Sequence, residues 1–321
     1  METLYRQVYD AALAARMPVL VSHAKPDGDT LGSMLAFGAA LDLAGRPHLR
    51  YCRDQAPKEY GFMSGVERII SDAEEVVAVE PDVVIVFDCG DLRYAGVDTL
   101  VPRLGNVTLV NIDHHPSNER YGKLNLVIPT ASSTSEIVHS LLVQNGVTID
   151  RDIATCLLAG ICFDTSNFSN PATSAAVMKV GADLLRRGAK FRTVLKHFVG
   201  NKSVPMLRLW GLALSRLTLN KDYDVASTVI TQDDLTATGA DEEMCGGVTN
   251  FLNAVLDVPT VLMLTELPGG YVKGSFRTTG DIDVSKLAKT FGGGGHKKAA
   301  GFTIKGRLVE KEGVWTVETS Q

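Results

Sequence analysis

The sequence predicts an α/β fold, with an N-terminal, mostly parallel sheet flanked by helices and a smaller C-terminal α/β domain with a mixed sheet. Three observations support this prediction. The first half of the chain alternates short apolar runs with helical patterns. These runs are apolar on both faces, which is typical of strands that helices cover on both sides. The length of 321 residues suits two domains.

The elements of the first half follow in order. An apolar face containing Leu4, Val8 and Ala12 predicts a surface helix within Met1–Arg16. Ser133 and Glu136 have the spacing of a capping box that opens a helix. The other predicted elements are the strands Pro18–Ser22, Val83–Phe87 and Val107–Ile112 and the helices Leu31–Ala44 and Asp152–Cys162. Strands that alternate with helices in this way predict a parallel sheet.

The C-terminal part has a different character. Residues 188–206 are rich in glycine and basic residues and contain a break at 200–205, so we place the inter-domain linker there. The predicted domains are therefore residues 1–187 and 207–321. The pair Gly269-Gly270 between two apolar runs is a hairpin signal. The predicted elements are the strands Ala226–Thr231, Thr260–Glu266, Tyr271–Arg277 and Ala300–Lys305 and the helix Asp283–Phe291.

The charge balance limits the expected partners. The chain has 32 basic and 37 acidic residues, whereas a protein that grips long duplex nucleic acid is usually basic. We therefore expect a short RNA or nucleotide substrate and no long duplex. No uncharged apolar stretch approaches about 18 residues, so no membrane span is expected. Five cysteines without a CxxC pair are typical of reduced thiols, and we expect a cytoplasmic protein.

Acidic and histidine side chains follow the predicted strands where each strand ends. In chain order the candidate metal ligands are His23, Asp27, Asp29, Asp88, His114 and Asp164. The last of them follows a predicted helix rather than a strand. Because the carboxyl ends of the strands in an open α/β sheet meet at one edge, where ligands bind, we expect these side chains to converge.

The composition of this cluster indicates a pair of divalent cations. Its four carboxylates carry a charge of −4, which two such cations would balance. Mixed carboxylate and imidazole ligands suit Mn²⁺ and also allow Mg²⁺ or Co²⁺. Two ions in such a site form the usual clamp for in-line phosphoryl hydrolysis. For single positions a structural alternative stays open, since Asp29 alone would serve as a helix cap and His114-His115 as surface histidines.

A glycine run in the second half predicts an anion-binding segment. Gly293, Gly294 and Gly295 stand in a run of four glycines that ends at His296 and two lysines. A backbone without side chains allows its N–H groups to approach a phosphate closely. The alternative is a simple turn with Gly292 as the C-cap of the preceding helix.

These residues together resemble the DHH phosphoesterase family. The resemblance covers nearly the whole chain, and it includes the family's associated substrate-binding domain, DHHA1, through the glycine run. The subgroup it is most similar to comprises bacterial hydrolases of short oligoribonucleotides, which also act on 3′-phosphoadenosine 5′-phosphate. The matching motifs are His23-Ala-Lys-Pro-Asp27-Gly-Asp29, Asp88-Cys-Gly-Asp91, Asn111-Ile-Asp-His-His115, Asp164 and Phe291-Gly-Gly-Gly-Gly-His296.

The resemblance also implies a role for each residue. One metal ion would take His23, Asp27 and Asp88, and the other Asp29, Asp88, His114 and Asp164. His115 would face the scissile phosphate as a hydrogen-bond or proton donor, and Asp113 would orient an imidazole. Ser275 and Arg277 would contact the substrate, as would Arg93. The alternatives are an edge strand facing water for Ser275 and Arg277, and an ordinary surface arginine for Arg93.

The function implied is a two-metal phosphoesterase that hydrolyses short oligoribonucleotides to mononucleotides, 3′-phosphoadenosine 5′-phosphate to AMP, or both. Substrate would bind between the two domains, and a homodimer is compatible with the resemblance. The alternatives are a phosphodiesterase for cyclic or linear dinucleotides with the same metal site and a nucleotide-binding regulator without catalysis. An inorganic pyrophosphatase is disfavoured, because that related family has a different C-terminal half.

Overall fold

The computed structural model describes residues 2–198, 203–245 and 247–319. The chain forms two compact units, Met1–Asn201 and Lys202–Gln321. Residues 199–202 of the predicted linker lie outside the described residues, and the boundaries at 187 and 207 stay predictions. No helix among the described residues has the length and apolar character needed to span a membrane.

The first unit contains a six-stranded sheet in the order β3-β2-β1-β4-β5-β6, and every described pairing is parallel. Its strands are β1 Pro18–Val21, β2 Leu49–Tyr51, β3 Ile69–Ile70, β4 Val83–Phe87, β5 Thr108–Asp113 and β6 Leu124–Val127. The predicted parallel sheet is confirmed, and the three predicted strands are the neighbours β1, β4 and β5. In β4, Ile85 and Phe87 belong to one apolar cluster and Val84 and Val86 to the other, so both faces of the sheet are covered.

Among the described residues of the first unit, eight α-helices accompany this sheet. They are α1 Glu2–Ala14, α2 Gly28–Leu43, α3 Ala73–Ala78, α4 Leu92–Ala95, α5 Thr134–Gln144, α6 Arg151–Asp164, α7 Ala175–Arg186 and α8 Phe191–Phe198, with short 3-10 helices at Lys58–Tyr60, Val66–Arg68 and Val101–Leu104. The predicted helix in the first 16 residues is confirmed as α1. Helices α2 and α6 approach closely at Gly32, where a Cβ atom would lie 2.5 Å from the carbonyl oxygen of Cys156.

Three helix ends differ from the sequence predictions. Helix α2 begins at Gly28 with Asp27 as its N-cap, so Asp29 lies in the first turn and is not the cap. Ser133 caps α5 as predicted, but Glu136 accepts from the Ser132 N–H and hydroxyl groups, so the reciprocal half of the capping box is not formed. Helix α6 continues to Asp164, which is therefore its last residue and does not follow it.

The second unit contains a mixed six-stranded sheet in the order β11-β12-β10-β9-β8-β7. Its elements are the helices α9 Val204–Ser215, α10 Gln232–Thr238, α11 Val248–Val255 and α12 Val284–Thr290, a 3-10 helix Glu242–Cys245, the strands β7 Thr218–Asn220, β8 Val225–Ile230, β9 Thr260–Leu267, β10 Tyr271–Thr278, β11 Gly294–His296 and β12 Ala299–Lys305, and a separate hairpin of β13 Arg307–Lys311 and β14 Val314–Glu318. Strands β8 and β9 are parallel, and the other described neighbours are antiparallel. The predicted mixed sheet and its Gly269-Gly270 hairpin are confirmed.

Candidate active site

The loop between β1 and α2 places two candidate ligands side by side. Asp27 uses one carboxylate oxygen to accept the backbone N–H groups of Asp29 and Thr30 at 3.0 and 3.1 Å, and so caps α2. Its other oxygen lies 3.5 Å from His23 Nε2. Because His23 Nδ1 lies 2.8 Å from the carbonyl oxygen of Ala24, that nitrogen carries a proton, and Nε2 is the nitrogen that faces Asp27 and Asp88.

Asp29 is fully buried and is held by the N-terminus of α5. Its two oxygens accept the backbone N–H groups of Thr134 at 2.6 Å and Ser135 at 2.9 Å. These N–H groups belong to the first helical turn, which carries a partial positive charge. Burial raises the pKa of Asp29 well above its usual value, and the carboxylates of Asp88 and Asp164 raise it further. Asp29 is therefore fixed in position, and a positive charge beside it would stabilise its ionised form.

Asp88 lies between the other candidate ligands. It follows β4 with a left-handed backbone (φ 57°), and its Oδ1 accepts the hydroxyl of Thr134 at 3.0 Å. Oδ1 also lies 3.5 Å from His114 Nε2, whereas Oδ2 lies 3.7 Å from His23 Nε2. The two oxygens of one carboxylate thus face two different histidines.

His114 and Asp164 complete the cluster. His114 Nε2 lies 3.1 Å from Asp164 Oδ2, but the contact lacks hydrogen-bond geometry, and no described residue donates a hydrogen bond to this buried oxygen. Burial lowers the pKa of His114, but the carboxylates of Asp164, Asp29 and Asp88 outweigh it and raise the pKa to about 10. Positive charge at this position is strongly favoured.

The six predicted ligands form two adjacent groups that fit metal ions. One atom from each of His23, Asp27 and Asp88 lies within 4.8 Å of the others, and the same holds for Asp29, His114 and Asp164. Among the described residues, no lysine or arginine forms an ion pair with the four carboxylates. We call these six residues the metal rim. Its composition and the buried oxygen without a donor fit divalent cations, while the division of ligands between two ions stays a prediction.

Asp113 and His115 form a pair beside the metal rim. The buried Asp113 accepts His115 Nδ1 at 2.7 Å and the backbone N–H groups of both His114 and His115. The hydrogen bond to Asp113 raises the pKa of His115. The His115 side chain is 46% exposed. The structure therefore shows that Asp113 orients the imidazole of His115, and the catalytic role of the pair stays a prediction.

In the second unit, strand register brings the predicted substrate contacts to one face of the sheet. Ser275 pairs with Gly301, which pairs with Gly294 on the edge strand. Arg277 is likewise in one row with His296. Directly paired residues point to the same side of a sheet. Ser275, Arg277, Gly294 and His296 therefore share a side, which we call the binding face.

Arg277 is a half-buried cation without an acidic partner among the described residues. Its Nε donates to the side-chain oxygen of Asn250 at 2.8 Å and another of its nitrogens donates to the carbonyl of Phe276 at 2.9 Å. Burial lowers its pKa. Arg277 and Ser275 line a cavity of about 310 Å³ together with Lys273. Glu242 lines the same cavity but forms no described ion pair with Arg277. A guanidinium without an ion-pair partner in a polar cavity favours an anionic ligand.

Comparison with known proteins identifies the family. Residues 18–161 match the family described as DHH family, N-terminal domain, and residues 223–314 match the DHHA1 domain. The chain is 31% identical to the bifunctional oligoribonuclease and PAP phosphatase NrnA of Thermus thermophilus, over 94% of this chain and 88% of that protein. The chain belongs to the DHH family. This family consists of metal-dependent phosphoesterases, and the aspartates and histidines of the metal rim could hold metal ions.

A second curated relative and a solved structure are also similar to this DHH protein over most of its length. The NrnA of Bacillus subtilis, also named a bifunctional oligoribonuclease and PAP phosphatase, is 24% identical over 89% of this chain and 88% of its own length. A crystal structure of an exopolyphosphatase-related protein from Bacteroides fragilis has a TM-score of 0.82 at 25% identity, covering 94% of this chain and 91% of the other.

The glycine run of the DHHA1 domain is not an open loop. Gly292 has φ 74°, and Gly292 and Gly293 donate their N–H groups to the carbonyls of Lys289 and Ala288 at the end of α12. The expectation of free N–H groups is therefore wrong for these two glycines. The C-cap of α12 is Phe291, and Gly292 is the left-handed residue that follows it, not the cap itself. Residues Gly294–His296 form the edge strand β11. Substrate binding by this segment stays a prediction.

Close packing requires glycine at two positions of this run but not at a third. A Cβ atom on Gly293 would lie 2.1 Å from the carbonyl oxygen of Gly301, and one on Gly295 would lie 2.6 Å from that of Ala299. A Cβ atom on Gly294 would meet nothing within 4 Å. Gly294 lies on the binding face, where the missing side chain leaves room against the backbone.

Arg93 lies apart from these contacts, on α4. It is exposed and lines a groove of about 550 Å³ with Tyr94, whose ring centroid is 5.0 Å from that of His23. A role in binding substrate stays a prediction for Arg93. Sequence reasoning missed both Tyr94 and Thr134 as neighbours of the rim. The capping pattern at Ser133 is the signal that could have indicated Thr134.

Proposed function

We propose that this DHH protein is a two-metal phosphoesterase that hydrolyses short oligoribonucleotides to mononucleotides and 3′-phosphoadenosine 5′-phosphate to AMP. The names of the relatives from Thermus thermophilus and Bacillus subtilis support both substrates. The net charge of −5 agrees with short substrates, because a protein that binds long nucleic acid needs more phosphate contacts.

One observation carries the proposal. Asp88 presents its two oxygens to His23 and His114 at 3.7 and 3.5 Å, and each histidine belongs to a separate group of ligands. A carboxylate that faces a histidine of each group is placed to serve both cations of a pair. When bound, the cations supply positive charge that activates water and stabilises the negative charge developing on the phosphate.

The residues around the rim prepare this chemistry. Asp113 holds the ring of His115 through Nδ1 at 2.7 Å, which leaves Nε2 to face the substrate. We infer that His115 donates its Nε2 proton to the ribose oxygen that leaves when the P–O bond breaks. Asp27 and Asp29 are anchored by backbone N–H groups, so little rearrangement is needed when ligands bind.

The binding face of the DHHA1 domain contributes affinity for an anion. We infer that Arg277 and Ser275 bind a phosphate group of the substrate, and that Gly294 allows it to approach the edge strand. The support for this is the lack of any acidic partner for Arg277 among the described residues and the open space beside Gly294.

We further infer Mn²⁺ as the metal, because carboxylate and imidazole oxygen and nitrogen ligands without thiolates suit it. Mg²⁺ and Co²⁺ are compatible with the same ligands. We infer a cytoplasmic location, where nucleotide substrates are found and where the five free cysteines stay reduced. A homodimer is the oligomeric state we expect from the resemblance.

A substrate panel tests the proposal. RNA from dinucleotide to decamer, 3′-phosphoadenosine 5′-phosphate, cyclic dinucleotides and pyrophosphate are each incubated with Mn²⁺, Mg²⁺ or a chelator. We expect mononucleotides from the short RNAs, AMP from the bisphosphate, and no product with chelator. Hydrolysis of cyclic dinucleotides alone would favour the alternative phosphodiesterase. Nucleotide binding without any metal-stimulated product would favour a regulator.

A further inference from the structure

The side-chain nitrogen of Asn118, near the metal rim, has three acceptor oxygens within hydrogen-bond distance. It donates to Asp113 Oδ2 at 2.5 Å and to the side-chain oxygen of Asn111 at 2.7 Å. The carbonyl oxygen of Cys89 lies 3.2 Å away. Asn118 is separated from the DHH triplet by two residues and is not one of the predicted ligands.

The orientation of this amide is unambiguous. The Asn118 side-chain oxygen accepts the backbone N–H of Arg120 at 2.7 Å. On the opposite side, the carboxylate of Asp113 and the carbonyl of Cys89 can only accept. The oxygen of Asn111 is also fixed as an acceptor, because its own NH₂ group donates to Cys89 and Tyr121. Exchanging O and N of Asn118 would therefore place its oxygen against three acceptor oxygens and its NH₂ group against the Arg120 N–H.

Asn118 thereby completes the coordination of Asp113. Asp113 is 0% exposed. One of its oxygens accepts His115 Nδ1 and two backbone N–H groups, and Asn118 is the only described donor to the other oxygen. Without Asn118, a buried carboxylate oxygen would lack a donor, and the carboxylate would be held through its other oxygen alone, about which it could turn. Rotation would change the direction of the His115 ring.

We propose that Asn118 is a positioning residue that fixes the plane of the Asp113 carboxylate and, through it, the ring of His115. The inference rests on the proposed function, in which His115 donates a proton to the leaving group. The Asn118 side chain forms no described hydrogen bond with His115 or with a predicted metal ligand, so its effect on catalysis passes through Asp113. The Asn118 backbone N–H donates to the His115 carbonyl oxygen at 3.2 Å, a contact that does not depend on the side chain.

A structural effect on the rim is the competing explanation. Asn118 also contacts the carbonyl of Cys89, the residue after Asp88. If Asn118 only tied this segment in place, its loss would weaken metal binding and reduce the hydrolysis of every substrate equally. The two explanations therefore differ in metal affinity and in the dependence of the rate on the leaving group.

The experiment compares Asn118→Ala, the isosteric Asn118→Asp, and the control Asn125→Ala in the full chain. Asn125 is matched because it holds a nearby turn, through both backbone groups of Gly122, without touching Asp113. Each variant is assayed on an RNA dinucleotide, whose ribose leaving group needs a proton, and on bis(p-nitrophenyl) phosphate, whose leaving group does not. Calorimetry gives Mn²⁺ affinity, and thermal unfolding reports folding.

We expect kcat on the dinucleotide to fall about 10–100-fold in both Asn118 variants. On the nitrophenyl ester the change should be at most about threefold, with Mn²⁺ affinity and KM preserved and Asn125→Ala unchanged. Equal losses on both substrates, weaker Mn²⁺ binding, or full activity would each overturn the inference.

A spectroscopic measurement keeps this inference separate from the proposed function. In the ¹H–¹⁵N spectrum of the histidine rings, the Nδ1–H of His115 should give a downfield signal that Asn118→Ala shifts or broadens and Asn125→Ala leaves in place. An unchanged signal in Asn118→Ala would overturn the positioning role even in an active enzyme. Absence of hydrolysis in the wild-type protein would instead contradict the proposed function, and the spectrum would still decide on Asn118.

Discussion

The metal rim and the binding face hold their polar residues in opposite ways. In the rim, buried carboxylates are anchored by backbone N–H groups, two of them for Asp29 alone. On the binding face, Arg277 has one side-chain partner, and His296 is exposed. The carboxylates of the rim are thus fixed by the backbone, whereas the side chains that we propose bind a substrate keep unused donors. Substitutions in the rim should therefore reduce kcat, and those on the binding face should raise KM.

The largest effect is expected at Asp88. We predict that Asp88→Asn lowers kcat at least about 1,000-fold on every substrate, because in the proposed function its one charge serves both metal ions. Asparagine keeps the size and tolerates the left-handed backbone at this position (φ 57°), so the fold should be preserved. Steady-state kinetics with Mn²⁺ and circular dichroism check this.

The matched control for Asp88 is Asp10→Asn, an exposed aspartate of α1 that pairs with Arg6. It should change kcat by less than about twofold, because surface ion pairs contribute little. If Asp88→Asn retained Mn²⁺-dependent turnover near the wild-type level, Asp88 would not be shared between two ions, and the comparison between rim and binding face would lose its basis.

A pair of glycines tests whether the binding face is shaped for a ligand or only for packing. Gly293→Ala would place a methyl group 2.1 Å from the Gly301 carbonyl oxygen, and we expect about 3 kcal/mol of destabilisation. Gly294→Ala meets no atom within 4 Å. It should leave stability within about 1 kcal/mol and raise KM several-fold.

Urea unfolding and kinetics on the two alanine variants separate these effects. A Gly294→Ala protein with wild-type KM would show that no ligand approaches this backbone. A Gly293→Ala protein of normal stability would show that the edge strand does not pack as described.

A substitution of Arg277 tests the binding-face half of the same comparison. We predict that Arg277→Ala raises KM about 10–100-fold with kcat little changed, which corresponds to the loss of a hydrogen-bonded charge pair with phosphate. Lys305→Ala is the control. Lys305 is an exposed cation of β12 that lies opposite Tyr271 in the strand register, at the other end of β10 from Arg277. A fall in kcat at constant KM would instead place Arg277 in the chemical step.

The sequence predicted the rim more completely than the binding face, for a physical reason. Strands β1, β4 and β5 are apolar on both faces, so their ends, and with them the candidate ligands, could be placed in advance. Strands β2 and β3 have only three and two residues, and β6 contains a polar residue, Asn125, so no continuous apolar run marked any of them. The glycine run was expected as a loop, because its strand exists only where β12 pairs with it.

Contacts between distant segments were also beyond sequence reasoning. Asp29 and Thr134 are 105 residues apart, and no local pattern links a helix cap to a carboxylate at that separation. The role that we propose for Asn118 depends on acceptors from two strand ends, Asn111 and Asp113 on β5 and Cys89 after β4, which is 29 residues away. Residue types at strand ends could be predicted, but the donors that fix their orientation could not.

The smallest predicted effect concerns an acid and histidine pair whose charges are balanced, unlike those of the rim. Asp183 lies 3.0 Å from His139 Nε2 and also pairs with Arg186 and Arg187, whereas Asp164 has no arginine partner among the described residues. Burial opposes the shift, but these partners lower the pKa of Asp183 to about 2. We therefore expect Asp183→Asn to leave kcat unchanged and to cost about 1–2 kcal/mol of stability at neutral pH.

The pH dependence of this effect follows from the direction of the shift. Because the folded-state pKa is below the ordinary value of 3.8, the charged form stabilises the fold fully above about pH 5, and this contribution is lost as the pH falls toward 2. The difference in unfolding free energy between wild type and Asp183→Asn, measured in urea, should thus be smaller at pH 3 than at pH 5. A constant difference would mean that packing, and not charge, holds Asp183. A fall in kcat would mean that balanced acid and histidine pairs also serve the chemistry, and the absence of a basic partner would then no longer distinguish the rim.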